Sequence, residues 1–387
     1  MTTNPWRSRF PGITGEWARF DGPAGTQALD RAVDAIDGYL RDGVNANAHG
    51  TFAASQITDR LVTDARATIG RLLGAPAEGV VFGPNMTSLM FAFTRALAPT
   101  LGPGDEIVCT QLDHDANVWP WVMAARDREA KVQRCRVDLT TGRLDTAHLA
   151  ELLGPSTRWL AITGASNAVG TMPDLAEAVK LAHEAGAKVL VDAVHLVPHR
   201  RVDIAALGCD ALVCSPYKWY GPHAGILWLD PDLLASLEPY KVRPAPDEGP
   251  TRLETGTPSY EAIAGVQAAA EFLLDVGMDV IAAHERATFS PLLDGLLGMD
   301  HVTVHGPSDL VDRAPTVAFN IRGMHPLAAA EALAAVRVAV WSGNYYALEL
   351  MTALGLEETG GAVRAGLACY TDDDDVARLL EAVASLG

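Results

Sequence analysis

Basic side chains are scarce in this chain: 30 Lys and Arg stand against 48 Asp and Glu, a formal net charge of −18 over 387 residues. Polyanion binding needs a clustered basic surface, so no nucleic-acid partner is expected. Cysteine is sparse too. Cys109, Cys135, Cys209, Cys214 and Cys369 form no CxxC pair and have no histidine ligands close by in sequence, which argues against a disulfide framework and against a metal site. Most sit among apolar residues, as buried thiols of a reducing compartment do. No apolar run approaches the length of a membrane helix, so no membrane partner is expected. The opening stretch "MTTNPWRSRFPGITGEW" lacks the apolar core of a secretory signal, and the expected location is cytoplasmic. Nucleotide fingerprints are missing as well: no GxGxxG follows the first strand candidate and no GxxxxGK[ST] occurs.

What is present is an alternation. From about residue 60 to 235, strand-like and helix-like segments succeed one another: "GVVFGPN", "MTSLMFAFTRALAPTL", "DEIVCTQL", "RWLAITGAS", "DLAEAVKLAHEAGA", "KVLVDAVHL", "CDALVCSPYK". In the first helical segment Met86, Leu89, Met90, Phe93 and Leu97 share one face. This rhythm predicts an α/β domain with a mostly parallel sheet covered on both faces. Near Asp300 the style changes. "VTVHG", "TVAFNIRG", "VAVWSGNYY" and "AVRAGLACY" alternate with "PLAAAEALAA" and "DDDDVARLLEAVASL", which predicts a smaller α+β unit with antiparallel character. A chain of this length suits one large and one small core. The acidic run opens a helix and complements its dipole.

Parallel sheets of this kind bind ligands at the carboxyl ends of their strands. "GPNMTS" places Met86, Thr87 and Ser88 at a helix start, where free N–H groups and a hydroxyl suit one phosphate group. A plain helix cap on Asn85 or Thr87 is the other reading, and both stay open. "VLVDAVH" ends on Asp192 with His195 three residues on, and "ALVCSPYK" ends on Ser215 and Lys218. An acid and a lysine at strand ends can be a buried ion pair. Together with a phosphate cradle they are also the parts that pyridoxal phosphate requires. The lysine forms the Schiff base, and a carboxylate keeps the pyridine nitrogen protonated so that the ring acts as an electron sink. Burial lowers an amine's pKa, which favours the neutral nucleophile.

The chain resembles the class V aminotransferase family of fold-type I pyridoxal-phosphate enzymes, in its cysteine-desulfurase-like branch. The likeness runs in order through "RFDGPAGTQ", "NANAHGTFAAS", "LDHDANVWPW", "SNAVGTMPD", "VDAVHLVPHRRVDI", "SPYKWYGPHAGIL", "LETGTPSYEAIAG" and "RAGLACY". The resemblance implies an N-terminal segment (1–30) lining the site and joining the small domain. A large cofactor-binding domain (31–285) with a seven-stranded type of sheet and a small C-terminal α+β domain (286–387) follow. It also implies catalytic roles for Lys218 as Schiff-base lysine, Asp192 at the pyridine nitrogen and His114 stacked on the ring. Met86, Thr87 and Ser215 match phosphate-binding positions, and Tyr217 stands there in place of a histidine. His195 replaces a glutamine beside the ring's phenolic oxygen, where it can still donate a hydrogen bond. Asn167 matches a residue near that oxygen and the substrate carboxylate. Thr257 resembles the residue that reaches the cofactor of the neighbouring subunit, which implies a homodimer with shared active sites. Arg364 matches the clamp on the substrate α-carboxylate, a task suited to a planar two-toothed donor.

One departure bears on the chemistry. Relatives of the desulfurase kind carry a loop cysteine that takes the substrate's sulfur as persulfide. Here the matching stretch is "VAVWSGNYYALELM": Tyr346 holds the cysteine's place, Trp341 replaces a basic residue, and Asn344 and Tyr345 replace histidines. A phenol with a reference pKa of about 10 does not substitute for a thiolate. Trp341, Tyr345 and Tyr346 read either as an aromatic wall for a bulkier substrate side chain or as packing of the small domain. The expected function is therefore a pyridoxal-phosphate enzyme acting on an amino acid, cleaving the C–S bond of a cysteine S-conjugate or S-oxide by β-elimination without persulfide. The resemblance includes such C–S lyases in natural-product biosynthesis. Decarboxylating oxidative deamination, transamination or epimerisation, and a non-catalytic pyridoxal-phosphate-binding homologue are the alternatives.

Overall fold

The structure, a computed structural model, describes residues 4–387; the first three residues of the expected N-terminal segment lie outside the described residues. Seven strands form the main sheet: β1 (Val80–Gly83), β2 (Glu106–Thr110), β3 (Lys131–Cys135), β4 (Thr157–Thr163), β5 (Lys188–Asp192), β6 (Ala211–Cys214) and β7 (Gly225–Leu229). Their order is β1-β7-β6-β5-β4-β2-β3, with only β7 antiparallel to its neighbours. Alternation within each strand shows why the apolar runs are nearly continuous. Val80 and Phe82 face one core while Val81 faces the other, and Val189 and Val191 oppose Leu190 in the same way. Helices α1 (Asp30–Arg41) and α2 (Ala53–Leu73) cover one face, and α3 (Met86–Leu97) covers the other. Met86, Leu89, Met90, Phe93 and Leu97 are all buried, so the expected face of α3 is the packed one.

Two long helices follow, α4 (Tyr260–Val276) and α5 (Met278–Leu297). Then comes an antiparallel sheet of β8 (Val302–His305), β9 (Thr316–Ile321), β10 (Trp341–Gly343) and β11 (Ala362–Gly366), in the order β8-β9-β11-β10. The expected division at 285/286 falls inside α5. Met278 and Ile281 of that helix pack in the large core, and Phe289, Leu292, Leu293 and Leu296 pack in the small one. One continuous helix thus serves both cores. The acidic run opens α6 (Asp373–Ala384), where Asp372 and Asp375 close a reciprocal capping box. Near the N-terminus, Ala18 and Arg19 pair in parallel with Val338 and Ala339, and Asp21 bridges to Gly366. Thr26 and Leu29 donate backbone N–H groups to the carbonyls of Tyr217 and Tyr220. Among the described residues no helix is long and apolar enough to cross a membrane, and no cluster of metal-ligating side chains occurs.

Candidate active site

The strand ends converge on one cavity. Its polar lining comes from five places in the sequence. The turn after β1 supplies Asn85, Met86 and Thr87, and the segment after β2 supplies His114. Thr163 and Asn167 come from the end of β4 and beyond, Asp192 and His195 from the end of β5, and Ser215, Tyr217 and Lys218 from the turn after β6. Nine of the expected residues therefore meet here: Met86, Thr87, His114, Asn167, Asp192, His195, Ser215, Tyr217 and Lys218.

Each is held for a local reason. Asn85 caps α3 by accepting from Ser88 N at 2.8 Å, so the capping reading is correct for Asn85. The cap uses only one amide. Met86 N and Thr87 N have no partner among the described residues, which leaves two donors at the positive end of a helix dipole. β7 passes close to this turn; a side chain at Gly225 would lie 2.3 Å from the carbonyl carbon of Asn85 and 2.6 Å from Met86 N. The turn bearing Lys218 is a single 3-10 turn, Pro216–Lys218, whose last amide closes on Ser215 O at 3.0 Å. Thr26 hydrogen-bonds Tyr217 O and receives Tyr220 N, so the N-terminal segment holds the lysine turn from behind.

Burial then sets the charges. Lys218 is 6% exposed, and its amine is pushed below the ordinary lysine range by desolvation first and by the Arg364 charge second, against the pull of Asp192. Asp192 is pushed up by burial; the amide of Val194, which donates to Oδ1 at 2.9 Å, and the charge of Lys218 oppose that shift. His114 is pushed down to about 3 by burial, then by Lys218 and Arg364. Its Nδ1 accepts from Ala116 N at 3.0 Å, so the neutral ring carries its proton on Nε2. The preceding Asp113 is a residue that sequence reasoning missed. It is 1% exposed and accepts from Thr110 N, Thr110 Oγ1 and Asn117 Nδ2 at 2.7–2.9 Å, locking the loop that carries His114.

The remaining expected residues lie outside the cavity lining. Arg364, on β11, is 4% exposed and donates from Nη1 to Asn167 O at 2.8 Å, while its Nε has no partner. Tyr345 is not a wall: it is buried, its ring lies 4.4 Å from the Arg364 guanidinium carbon, and its hydroxyl donates to Ala362 O. Asn167 Nδ2 donates to Tyr345 O at 2.9 Å, which leaves its buried Oδ1 unpaired. Tyr346 is 71% exposed, with its ring centroid 5.3 Å from that of His114. Both tyrosines are left-handed, with φ of 55° and 58°. Asp115 N donates to Tyr346 O at 2.7 Å, and Tyr346 N to Asn344 Oδ1 at 3.0 Å, so the strained turn is strapped in place. Trp341 is half exposed and pairs across the ladder from Arg364. Thr257 stands exposed on a surface segment anchored by Glu254, which takes Arg66 at 2.7 and 2.9 Å and Phe82 N at 2.7 Å.

The donor set fits pyridoxal phosphate. Free amides and hydroxyls stand at a helix start for a phosphate, a buried carboxylate stands for a pyridinium nitrogen, and a buried amine of lowered basicity lies within one cavity. The unpaired Nε of Arg364 and Oδ1 of Asn167 are the buried polar atoms that a ligand would satisfy.

The family model described as Aminotransferase class-V matches residues 19–379. A probable cysteine desulfurase of Pseudomonas putida is 32% identical over 98% of this chain and 97% of its own. Among solved structures, the apo cysteine desulfurase of Thermococcus onnurineus is 27% identical with a TM-score of 0.94, covering 100% of this chain and 98% of its own. The Escherichia coli cysteine desulfurase CsdA, solved as an S-sulfonic acid, is 28% identical with a TM-score of 0.89, covering 98% and 97%.

Proposed function

The chain belongs to the class-V aminotransferase family, whose enzymes are pyridoxal-phosphate dependent, and on that premise we propose that it cleaves the C–S bond of a cysteine S-conjugate or S-oxide by β-elimination, without a persulfide. The carrying observation is the absence of a sulfur acceptor beside an otherwise complete set. Tyr346 stands over His114 where the resemblance places a cysteine, and none of the five thiols lines the cavity. All five are buried, and burial pushes Cys135, Cys209 and Cys214 up to about 12, so none offers a thiolate.

When bound, the cofactor supplies an electron sink for the negative charge that forms at the substrate's Cα. The chain's own residues do the rest. Met86 N, Thr87 and Ser215 would hold the phosphate, Asp192 the pyridine nitrogen, and His114 would cover the ring. Arg364 would grip the α-carboxylate through Nε and its free guanidinium edge. Lys218 Nζ, kept less basic than usual by burial, takes the proton from Cα; the C–S bond breaks, sulfur leaves as thiol or sulfenate, and the remaining fragment hydrolyses to pyruvate and ammonia. Tyr346 and the exposed face of Trp341 offer apolar contact to the leaving group. We further propose a homodimer, because Thr257 and its neighbours face outward on a firmly anchored segment where a second copy could use them. The setting is a reducing cytoplasm, in keeping with five free thiols.

The test is a panel of S-substituted cysteines with pyruvate and thiol recorded. Pyruvate from an S-conjugate, with no persulfide from free cysteine, supports the lyase. Carbon dioxide with an aldehyde, or an amino-group transfer, would move the reaction to decarboxylating deamination or transamination. Bound cofactor with no turnover of any amino acid would leave a binding protein.

A further inference from the structure

His195 and Thr316 form a contact across the two sheets: His195 Nε2 lies 2.9 Å from Thr316 Oγ1 on β9. Both are buried, at 3% and 0% exposure. His195 lines the cavity, and its Nδ1 makes no hydrogen bond among the described residues. Burial, then the neighbouring His199, Lys218 and Arg364, hold the imidazole neutral. A neutral ring has one donor and one acceptor, so the contact with Thr316 decides which nitrogen carries the proton.

Only one arrangement satisfies the hydroxyl. Thr316 Oγ1 has no other partner among the described residues. Were it to accept from Nε2–H, its own O–H would be a buried donor with nothing to meet, the costlier kind of orphan. Donating to Nε2 satisfies that hydrogen and places the ring's proton on Nδ1, facing the polar cavity. The surroundings fix this geometry. Arg313 holds Thr316 O through Nη2 at 3.2 Å, and Thr316 pairs with Gly366, where any side chain would come within 2.8 Å of Oγ1. His199 stands edge-on to His195 at 4.9 Å and 78°, itself tied by Nδ1 to Glu285 Oε2 at 2.9 Å.

We propose that Thr316 is a positioning residue that sets the tautomer of His195, so that the cavity is presented with an Nδ1–H donor aimed at an oxygen acceptor of the cofactor. The inference rests on the reading of this cavity as the pyridoxal-phosphate site, and not on which reaction follows. Asn167 complements it, since its unpaired Oδ1 is an acceptor.

The experiment is 15N NMR of the cofactor-free protein labelled at histidine, with His195 assigned by loss of its signals in His195→Gln. The expected result is a protonated, pyrrole-type Nδ1 and a pyridine-type Nε2; the reverse assignment in the unaltered protein overturns the proposal and needs no variant to fold at position 316. In Thr316→Val the Nδ1–H share is expected to fall and pyridoxal-phosphate affinity to drop about tenfold, the loss of one hydrogen bond to a polar group. Thr316→Ser should restore both. A Val variant with the tautomer or the affinity unchanged overturns the proposal as well. Failure of C–S cleavage would leave these readouts untouched, so the two ideas fail separately.

Discussion

Two regions meet at Lys218 and are built on opposite plans. The cofactor side is made of strand ends: Asp192 closes β5, Ser215 follows β6 and Asn167 lies just beyond β4, strands whose positions the sheet ladder dictates. The expected substrate side is a turn, Asn344–Tyr346, whose two tyrosines are held in left-handed geometry as Asp115 N donates to Tyr346 O, Asn167 Nδ2 to Tyr345 O and Tyr346 N to Asn344 Oδ1. The first plan places charge in a dry, rigid setting where it can be tuned. The second lets residue type change without disturbing the sheet, and it carries Tyr346 at the place where the resemblance implies a cysteine. On the proposed function, the first region would set the chemistry and the second the choice of substrate, and substitutions should separate them.

The largest effect is expected on the strand-end side. Lys218→Ala should lower turnover by about three orders of magnitude, the scale of losing a positioned general base, with thermal stability unchanged or raised because a buried amine is gone. A variant retaining more than a tenth of the activity would move the α-proton transfer elsewhere. Next comes Arg364→Gln, which removes charged hydrogen bonds of about 1.5–3 kcal/mol. It should raise KM for the amino acid about ten- to a hundredfold with kcat less affected. An equal loss in kcat alone would place Arg364 in chemistry rather than binding.

The two tyrosines then split the substrate side itself. Tyr345→Leu removes the ring under Arg364, a desolvated cation–π contact of about 2 kcal/mol, and should raise KM roughly tenfold for every substrate. Tyr346→Ala, on an exposed ring, should change KM only about threefold and only for bulky S-substituents. If both variants show the same substrate-dependent pattern, the distinction between support and wall is wrong.

This pair also shows what was legible in the sequence. The strand-end residues could be read because period and order fix where a strand finishes, so Lys218, Asp192, His195 and Met86 reach one cavity as expected. Tyr345 could not be assigned a direction, because a left-handed turn sends adjacent side chains to opposite sides. Thr316 and Asp113 carry no local mark; a buried threonine on a strand and an Asp before a His gain meaning only from partners that folding supplies. Helix α5 hid the domain seam for a related reason: its apolar period continues unbroken while the core it faces changes from one sheet to the other.

The smallest effect is a pH term from His114. Folded, its ring is pushed down to about 3; unfolded, it returns to about 6.5. Between those values the unfolded chain binds a proton that the folded chain refuses, so this group costs stability as pH falls through 6.5. Asp113, pushed up to about 7 by burial, acts in the opposite sense, because its folded carboxyl takes up a proton before the unfolded one does. The net slope of the whole protein is therefore uninformative, but the difference between two variants is not. His114→Asn keeps a capping side chain for the Asp115–Asn117 turn and removes the imidazole. In the cofactor-free protein, the melting temperature of His114→Asn relative to wild type should rise by about 2 °C between pH 7 and pH 5. A constant difference across that range would mean that the folded ring titrates as the unfolded one does, and the cavity would then be wetter, and lower the basicity of Lys218 less, than its burial implies.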